Sequence, residues 1–115
     1  MPAKKPHTMP VPPKPFQRFT AKQPAIAKAY MELGEAVRKA GPLNEREIAL
    51  VKLAISLGAR LEGAAHAHAR KAVAAGIEAE SLLHVGMLTC PTLGFPQMMA
   101  GLGWIEDVIA GKKKS

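Results

Sequence analysis

The amino-acid sequence predicts an all-α fold, a helical bundle of about five helices. Apolar residues recur at three- and four-residue spacing along most of the chain, which is the repeat of an amphipathic helix. Glycine and proline interrupt this pattern at short intervals, so the connections between helices are short. Apolar residues make up 48% of the 115 residues and aromatic residues only 4%, with a large excess of alanine. Such small side chains let helices pack closely against one another.

Capping and helix-breaking residues set the boundaries of these helices. Pro24 suits the first turn of a helix that Gly41-Pro42 ends. Asn44 followed by Glu47 resembles a capping box, so the second helix begins near residue 45. Gly76 supplies a left-handed cap to the third helix. The predicted helices cover about residues 24–40, 45–57, 61–75, 79–89 and 95–110, with a bend or break at Cys90-Pro91.

The second helix is apolar around most of its circumference, so we expect it to be buried. Its apolar residues are Ile48, Val51, Leu53, Ala54, Ile55 and Leu57. So much apolar surface on short helices is difficult to hide within 115 residues. A shared face between identical chains solves this problem, and we therefore expect a homo-oligomer.

The two ends of the chain differ in composition from the part between them. Six of the ten prolines of the chain lie within residues 1–15. They predict that residues 1–22 form an extended or disordered arm. Residues 23–111 form the predicted helical domain, and residues 112–115 form a basic tail. The ends carry eight of the 16 basic residues and none of the nine acidic ones, so the domain itself has a net charge of −1. This distribution, with few aromatic side chains for base stacking, argues against nucleic-acid binding.

The sequence gives no indication of a membrane protein or of a bound cofactor. No stretch resembles a secretory signal, and none reaches the length of about 18 uncharged apolar residues that a membrane span needs. We therefore expect a cytoplasmic protein with no membrane partner. The single cysteine, Cys90, excludes a Cys-x-x-Cys redox or zinc site within one chain. We expect no cofactor.

The third helix carries most of the residues that can do chemistry. Glu62 and His66 are four residues apart and share a helix face, where a carboxylate can orient an imidazole as a general base. A surface ion pair is the alternative for this spacing. His66 and His68 point about 200° apart on a helix, so they cannot both bind one metal ion, and we expect no metal site. His84 on the fourth helix can meet either histidine, or be structural.

The stretch of residues 43–110 is similar to the carboxymuconolactone decarboxylase and alkylhydroperoxidase D superfamily. The matching segments are Leu43-Asn44-Glu45-Arg46-Glu47, His68-Ala69-Arg70-Lys71-Ala72 with Gly76, and Thr92-Leu93-Gly94-Phe95-Pro96. The resemblance implies a helical bundle that assembles as trimers or hexamers, with its site near a subunit boundary. We predict the same fold and a small-molecule ligand here.

The resemblance also implies which chemistry is lost. The peroxidase branch has two cysteines and a glutamate where this chain has Leu61, Ala64 and Ala49, so of that relay only His68 is present. The reacting thiolates are therefore missing. The decarboxylase branch keeps a histidine with an arginine two residues later, as His68 and Arg70 do here, and such a pair can bind a carboxylate or lactone.

Three hypotheses for the function follow. The favoured one is non-redox, lyase-like acid/base chemistry on a small organic acid or lactone, with His68 or His66 as acid/base, Glu62 as orienter and Arg60 or Arg70 as anion contact. His84 is a further candidate for substrate binding. The second is a peroxidase-like antioxidant activity through Cys90 as a reactive thiol. The third is a non-catalytic binding module whose basic tails engage an acidic partner.

Overall fold

The computed structural model describes residues 12–111, and its contacts divide them into two units that we describe separately. Residues 12–44 form the N-terminal unit, and residues 45–111 form the unit that we call the helical body. The N-terminal unit contains α1 (Lys14–Lys22) and α2 (Pro24–Lys39). The helical body contains α3 (Glu45–Gly58), α4 (Glu62–Ala74), α5 (Ala79–Leu88), α6 (Cys90–Leu93) and α7 (Phe95–Ile109). The predicted all-α class is confirmed.

Five of these helices are the ones that the sequence predicts, namely α2, α3, α4, α5 and α7. Their ends agree with the predicted ends to within one or two residues, because capping residues, prolines and glycines act locally. The predicted interruption at Cys90-Pro91 is also confirmed. There α5 gives way to the four-residue helix α6, which ends at Gly94 with a φ of 110°.

The prediction for the arm, residues 1–22, is wrong for its second half, since Lys14–Lys22 form helix α1. Pro15 lies in the first turn of this helix, where a missing N–H costs no hydrogen bond, and Pro24 begins the next helix. The prolines therefore bracket α1 instead of preventing it. The rest of the arm up to residue 11, and the tail at residues 112–115, lie outside the described residues.

Four helices of the body enclose its core. Helix α3 packs against α4 and α5, and α7 packs against the same two helices, so the four form a ring in the order α3, α4, α7, α5. The buried core residues are Leu53, Leu57, Ala65, Ala69, Ala72, Ile77, Leu82 and Ile105. Three alanines of α4 belong to this set, which is the close packing through small side chains that the composition predicts.

Helix α7 lies close to its neighbours at two places. A Cβ atom on Gly86 of α5 would stand 2.7 Å from Cδ2 of Leu102, so only glycine fits this contact as it is. Near the start of α7, the Nε2 atom of Gln97 donates to the carbonyl oxygens of Leu57 at 3.0 Å and Gly58 at 3.1 Å. These carbonyls lie at the end of α3, where that of Leu57 also accepts from the backbone N–H of Arg60 at 3.0 Å. Gln97 therefore caps α3 from a different helix.

Helices α3 and α4 end in the same type of turn but with different residues. The N–H of Gly76 donates to the carbonyl of Val73 at 2.9 Å and that of Ile77 to Ala72 at 3.0 Å, with Gly76 at the predicted positive φ, 87°. This pair of bonds is a Schellman motif. After α3 the equivalent left-handed position belongs to Arg60, with a φ of 61°. Arginine adopts this backbone conformation only at a cost of about 1–2 kcal/mol.

The expectation that α3 is buried on all sides is wrong for the helical body alone. Leu53, Ser56 and Leu57 are buried, whereas Val51 and Ile55 are 44% and 62% exposed. Residues three and four apart share one helix face, and a single ring of four helices covers only that face. None of the helices within residues 12–111 is long and apolar enough to cross a membrane.

Candidate functional site

His66 lies in the interior of the body and pairs with a carboxylate from another helix. Its side chain is 4% exposed, and its Nε2 atom lies 3.3 Å from Oδ2 of Asp107 on α7. The side chain of Asp107 is 31% exposed. The pair therefore joins α4 to α7, with the imidazole inside and the carboxylate at the boundary with solvent.

Asp107 is not among the residues predicted from the sequence, in which Glu62 has the orienting role. Glu62 lies exposed in the first turn of α4. One signal for Asp107 was present, because it lies three residues after Trp104 and beside Val108, both of which pack against the core. An acidic residue at that position of an apolar helix needs a partner.

His68 lies two residues after His66 and is half-buried. Burial lowers the pKa of His68 below its ordinary value of 6.5, and the positive charges of Lys71 and Lys52 lower it further. Lys71 lies three residues along α4, whereas Lys52 belongs to α3, the neighbouring helix. The lowered pKa favours the neutral form of the imidazole, and Lys71 and Lys52 place two ammonium groups in its surroundings.

The two candidate arginines lie on different parts of the body. Arg60 is exposed in the turn between α3 and α4, and Arg70 is half-buried on α4. By the helical repeat, Arg70 points about 200° away from His68, since it is two residues later. The resemblance predicts that these two residues act as a pair, and on a helix they face different neighbours.

A groove between α3, α5 and α6 holds the remaining histidine candidate. Its volume is about 550 Å³, within the range of small-molecule sites. It is lined by Leu50, Val51, Ala54, Val85, Leu88 and Leu93, with Arg46, Ser81, His84, Thr89 and Thr92 as polar members. In the ring of four helices, the contact of α3 with α5 lies opposite the contact of α4 with α7. His84 and the His66–Asp107 pair therefore occupy different sides of the body.

Arg46 carries the charge among the groove residues in the described part of the chain, and that charge is matched within the body. Its Nη1 atom lies 2.7 Å from Oε1 of Glu78, and Nη2 donates to Oγ of Ser81 at 2.9 Å. The pKa of Glu78 is lowered by a hydrogen bond from its own backbone N–H, then by those from Arg46 and Ser81. Arg46 is not among the site residues predicted from the sequence.

Cys90 and the possible metal ligands complete the set of candidates. Cys90 is the first residue of α6 and is half-buried. Within residues 12–111, no three side chains of the histidine, cysteine, aspartate and glutamate types come together in a way that could hold a metal ion. Of the histidine candidates, His84 lines the groove, whereas His66 pairs with Asp107 on another side of the body.

Comparison with known proteins identifies the family of this chain. The sequence model of the carboxymuconolactone decarboxylase family matches residues 24–107, from the start of α2 to Asp107. No significant match occurs among curated proteins or among solved structures. The match covers most of the chain and confirms the resemblance drawn from the motifs of residues 43–110. The chain belongs to the carboxymuconolactone decarboxylase family.

Proposed function

We propose that this protein binds a small organic acid or lactone and transforms it by non-redox acid/base chemistry, with His68 as the proton acceptor. The observation that carries the proposal is the state of His68, which is half-buried and has a pKa lowered by burial, Lys71 and Lys52. A general base must be unprotonated at the working pH, and an imidazole with a lowered pKa meets this condition at neutral pH.

The same two lysines supply the means of holding the substrate. A carboxylate on the substrate is attracted by the ammonium groups of Lys52 and Lys71, and its negative charge offsets the repulsion that keeps His68 neutral. Substrate binding and proton acceptance therefore use one cluster of three side chains. Arg60 and Arg70, the anion contacts predicted from the sequence, stay as candidates for a second contact.

The burial of His66 supports giving it another role. At 4% side-chain exposure, it has little surface for a substrate, and its ring already contacts Asp107. Of the two histidines proposed as acid/base, His68 is therefore the better candidate. Asp107 orients the ring of His66 in this proposal, and Glu62, the orienter predicted from the sequence, stays a candidate for the same helix.

The cysteine content supports non-redox over redox chemistry. A thiol peroxidase cycle needs an attacking thiolate and a second thiol that resolves the oxidised one. The chain has Cys90 alone, so no disulfide can close within one chain. A peroxidase activity through Cys90 stays the alternative proposal, and undiminished peroxide turnover by a Cys90→Ser variant excludes it.

The test uses a carboxymuconolactone, the compound named by the family, as the substrate and measures the release of carbon dioxide. We expect His68→Gln to reduce kcat by about 100-fold or more, the usual contribution of a general base. We expect Lys52→Gln to act mainly on KM, since it removes an anion contact.

Two matched controls accompany these variants. Glu106→Gln changes an exposed residue next to Asp107, and Lys39→Gln removes a lysine of α2 that pairs with Glu35. Both should keep wild-type turnover. Wild-type kcat and KM in His68→Gln contradict the proposal. If the wild-type protein releases no carbon dioxide, a titration with small organic acids, followed by the NMR signal of His68, tests binding separately.

A further inference from the structure

Helix α4 buries mostly small side chains. Its buried residues are Ala65, His66, Ala69 and Ala72. Packed helices resist turning about their axes because side chains of one project into the spaces between side chains of the next. An alanine projects only its Cβ atom, so three of these four residues resist such a rotation weakly. The fourth, His66, reaches across to α7 and meets Asp107 there.

His66 and His68 lie on opposite flanks of this alanine face. At about 100° per residue, His66 lies about 100° to one side of Ala65 and His68 about 60° to the other. Helix α4 packs between α7 and α3. The flank of His66 faces α7, where Asp107 lies, and that of His68 faces α3, from which Lys52 acts on it. A rotation of α4 that takes one histidine outward therefore takes the other inward.

From this geometry we infer that Asp107 is a positioning residue for His68. By holding the ring of His66, it sets the rotation of α4 and with it the depth at which His68 lies beside α3. The catalytic meaning of this coupling rests on the proposed function, in which His68 is the proton acceptor. The coupling itself is a property of the fold and can be measured without a substrate.

The direction of the rotation follows from the chemistry of the imidazole. Without Asp107, the buried Nε2 atom of His66 loses its partner, and such a group gains free energy by reaching water. The flank of His66 then turns outward and carries His68 inward. Deeper burial disfavours the charged imidazolium, so the pKa of His68 falls further than in the wild-type protein.

An NMR titration of the His68 ring protons in the full chain tests the inference. We expect Asp107→Ala to lower the pKa of His68 below its wild-type value. Asp107→Asn removes the same charge but keeps a hydrogen bond, since an amide can donate to or accept from Nε2. Its His68 pKa should stay close to that of the wild type. Glu106→Gln, which removes an exposed carboxylate from the neighbouring position, is the matched control.

A double variant separates rotation from charge. In His66→Phe/Asp107→Ala, a phenyl ring fills the place of the imidazole and needs no polar partner, so α4 has no reason to turn. The pKa of His68 should therefore return to its wild-type value. A lowering that came from the missing negative charge of Asp107 would persist in this variant. Asp107→Ser, with a hydroxyl too short to reach the ring, takes the place of Asp107→Ala if that variant does not fold.

Three results overturn the inference. They are an equal pKa of His68 in Asp107→Ala and Asp107→Asn, a rise of this pKa in Asp107→Ala, and a lowering that persists in the double variant. Turnover of a carboxymuconolactone then tests the catalytic meaning separately. We expect kcat to fall about tenfold or more in Asp107→Ala and to stay near the wild-type value in Asp107→Asn. A shifted pKa with unchanged kcat supports the coupling and contradicts His68 as the base.

Discussion

The Nε2 atom of His66 lies 3.3 Å from the Oδ2 atom of Asp107, so a buried ring on α4 is held by a carboxylate on α7. The two residues are 41 positions apart in the chain. The contact fixes the rotation of α4 relative to α7, since neither side chain can turn away without leaving a buried nitrogen unpaired.

Replacing Asp107 should therefore destabilise the body. We expect Asp107→Ala to lower the free energy of unfolding by about 1–3 kcal/mol, the cost of leaving a buried polar group without its partner. Urea denaturation followed by circular dichroism measures this. The neighbouring variant Glu106→Ala removes an exposed carboxylate and should cost less than about 0.5 kcal/mol. Equal effects of the two variants would contradict the structural role of the pair.

The lowered pKa of His68 leads to a prediction about Lys52. Burial is the largest cause of the lowering, followed by Lys71 and Lys52. Lys52→Gln should raise the pKa of His68 but leave it below 6.5, because burial remains. An NMR titration of the His68 ring protons measures it. Arg46→Gln removes a positive charge elsewhere on α3 and should not move the pKa of His68. A similar rise of this pKa in both variants would refute the specific effect of Lys52 on His68.

The same group predicts how stability depends on pH. Between the lowered pKa of His68 in the folded protein and the 6.5 of the unfolded chain, only the unfolded chain takes up the proton. His68 therefore lowers the free energy of unfolding as pH decreases through this interval. Above pH 6.5 its ring is neutral in both states and causes no such loss. We expect the urea midpoint to fall less between pH 7.5 and pH 5.5 in His68→Gln than in the wild type. Parallel profiles of the two proteins would contradict this.

The turn after α3 offers a stabilising substitution. Arg60 has a φ of 61°, which costs an arginine more than a glycine. We expect Arg60→Gly to raise the free energy of unfolding by about 0.5–1 kcal/mol, net of the greater freedom of glycine in the unfolded chain. The matched control is Gly76→Ala in the equivalent turn after α4, which should lower it by about 1 kcal/mol. Thermal melting shows whether each variant is more or less stable than the wild-type protein. A loss of stability in Arg60→Gly would mean that its side chain supplies a contact that outweighs the strain.

Local signals explain why most helices were predictable from the sequence. Pro24, Asn44 and Gly76 act on the backbone next to them, so the ends of α2, α3 and α4 follow from neighbouring residues. Helix α1 was missed because the prolines before it were interpreted as breakers, although Pro15 is compatible with a first turn. The position of each proline relative to the helix matters more than their number.

The candidate site was less predictable because it depends on how helices rotate against one another. His68 was identified from the family motif, but the contribution of Lys52 to its pKa arises only when α3 packs on α4. The partner of His66 comes from α7, which no spacing within α4 can indicate. His84 was grouped with the other histidines from its helix alone, and the structure places it in a groove on another side of the body.

Helix α7 contacts each of the other three long helices of the body at a different point. Gln97 caps the end of α3, Asp107 holds His66 of α4, and Leu102 fills the space beside Gly86 of α5. During synthesis, α7 leaves the ribosome after all three. Until then, the carbonyls of α3, the ring of His66 and the notch at Gly86 face water, so the earlier helices cannot complete their core. The body therefore acquires its folded state only when this segment has been translated, and chains that stop before residue 95 should be substrates for proteolysis.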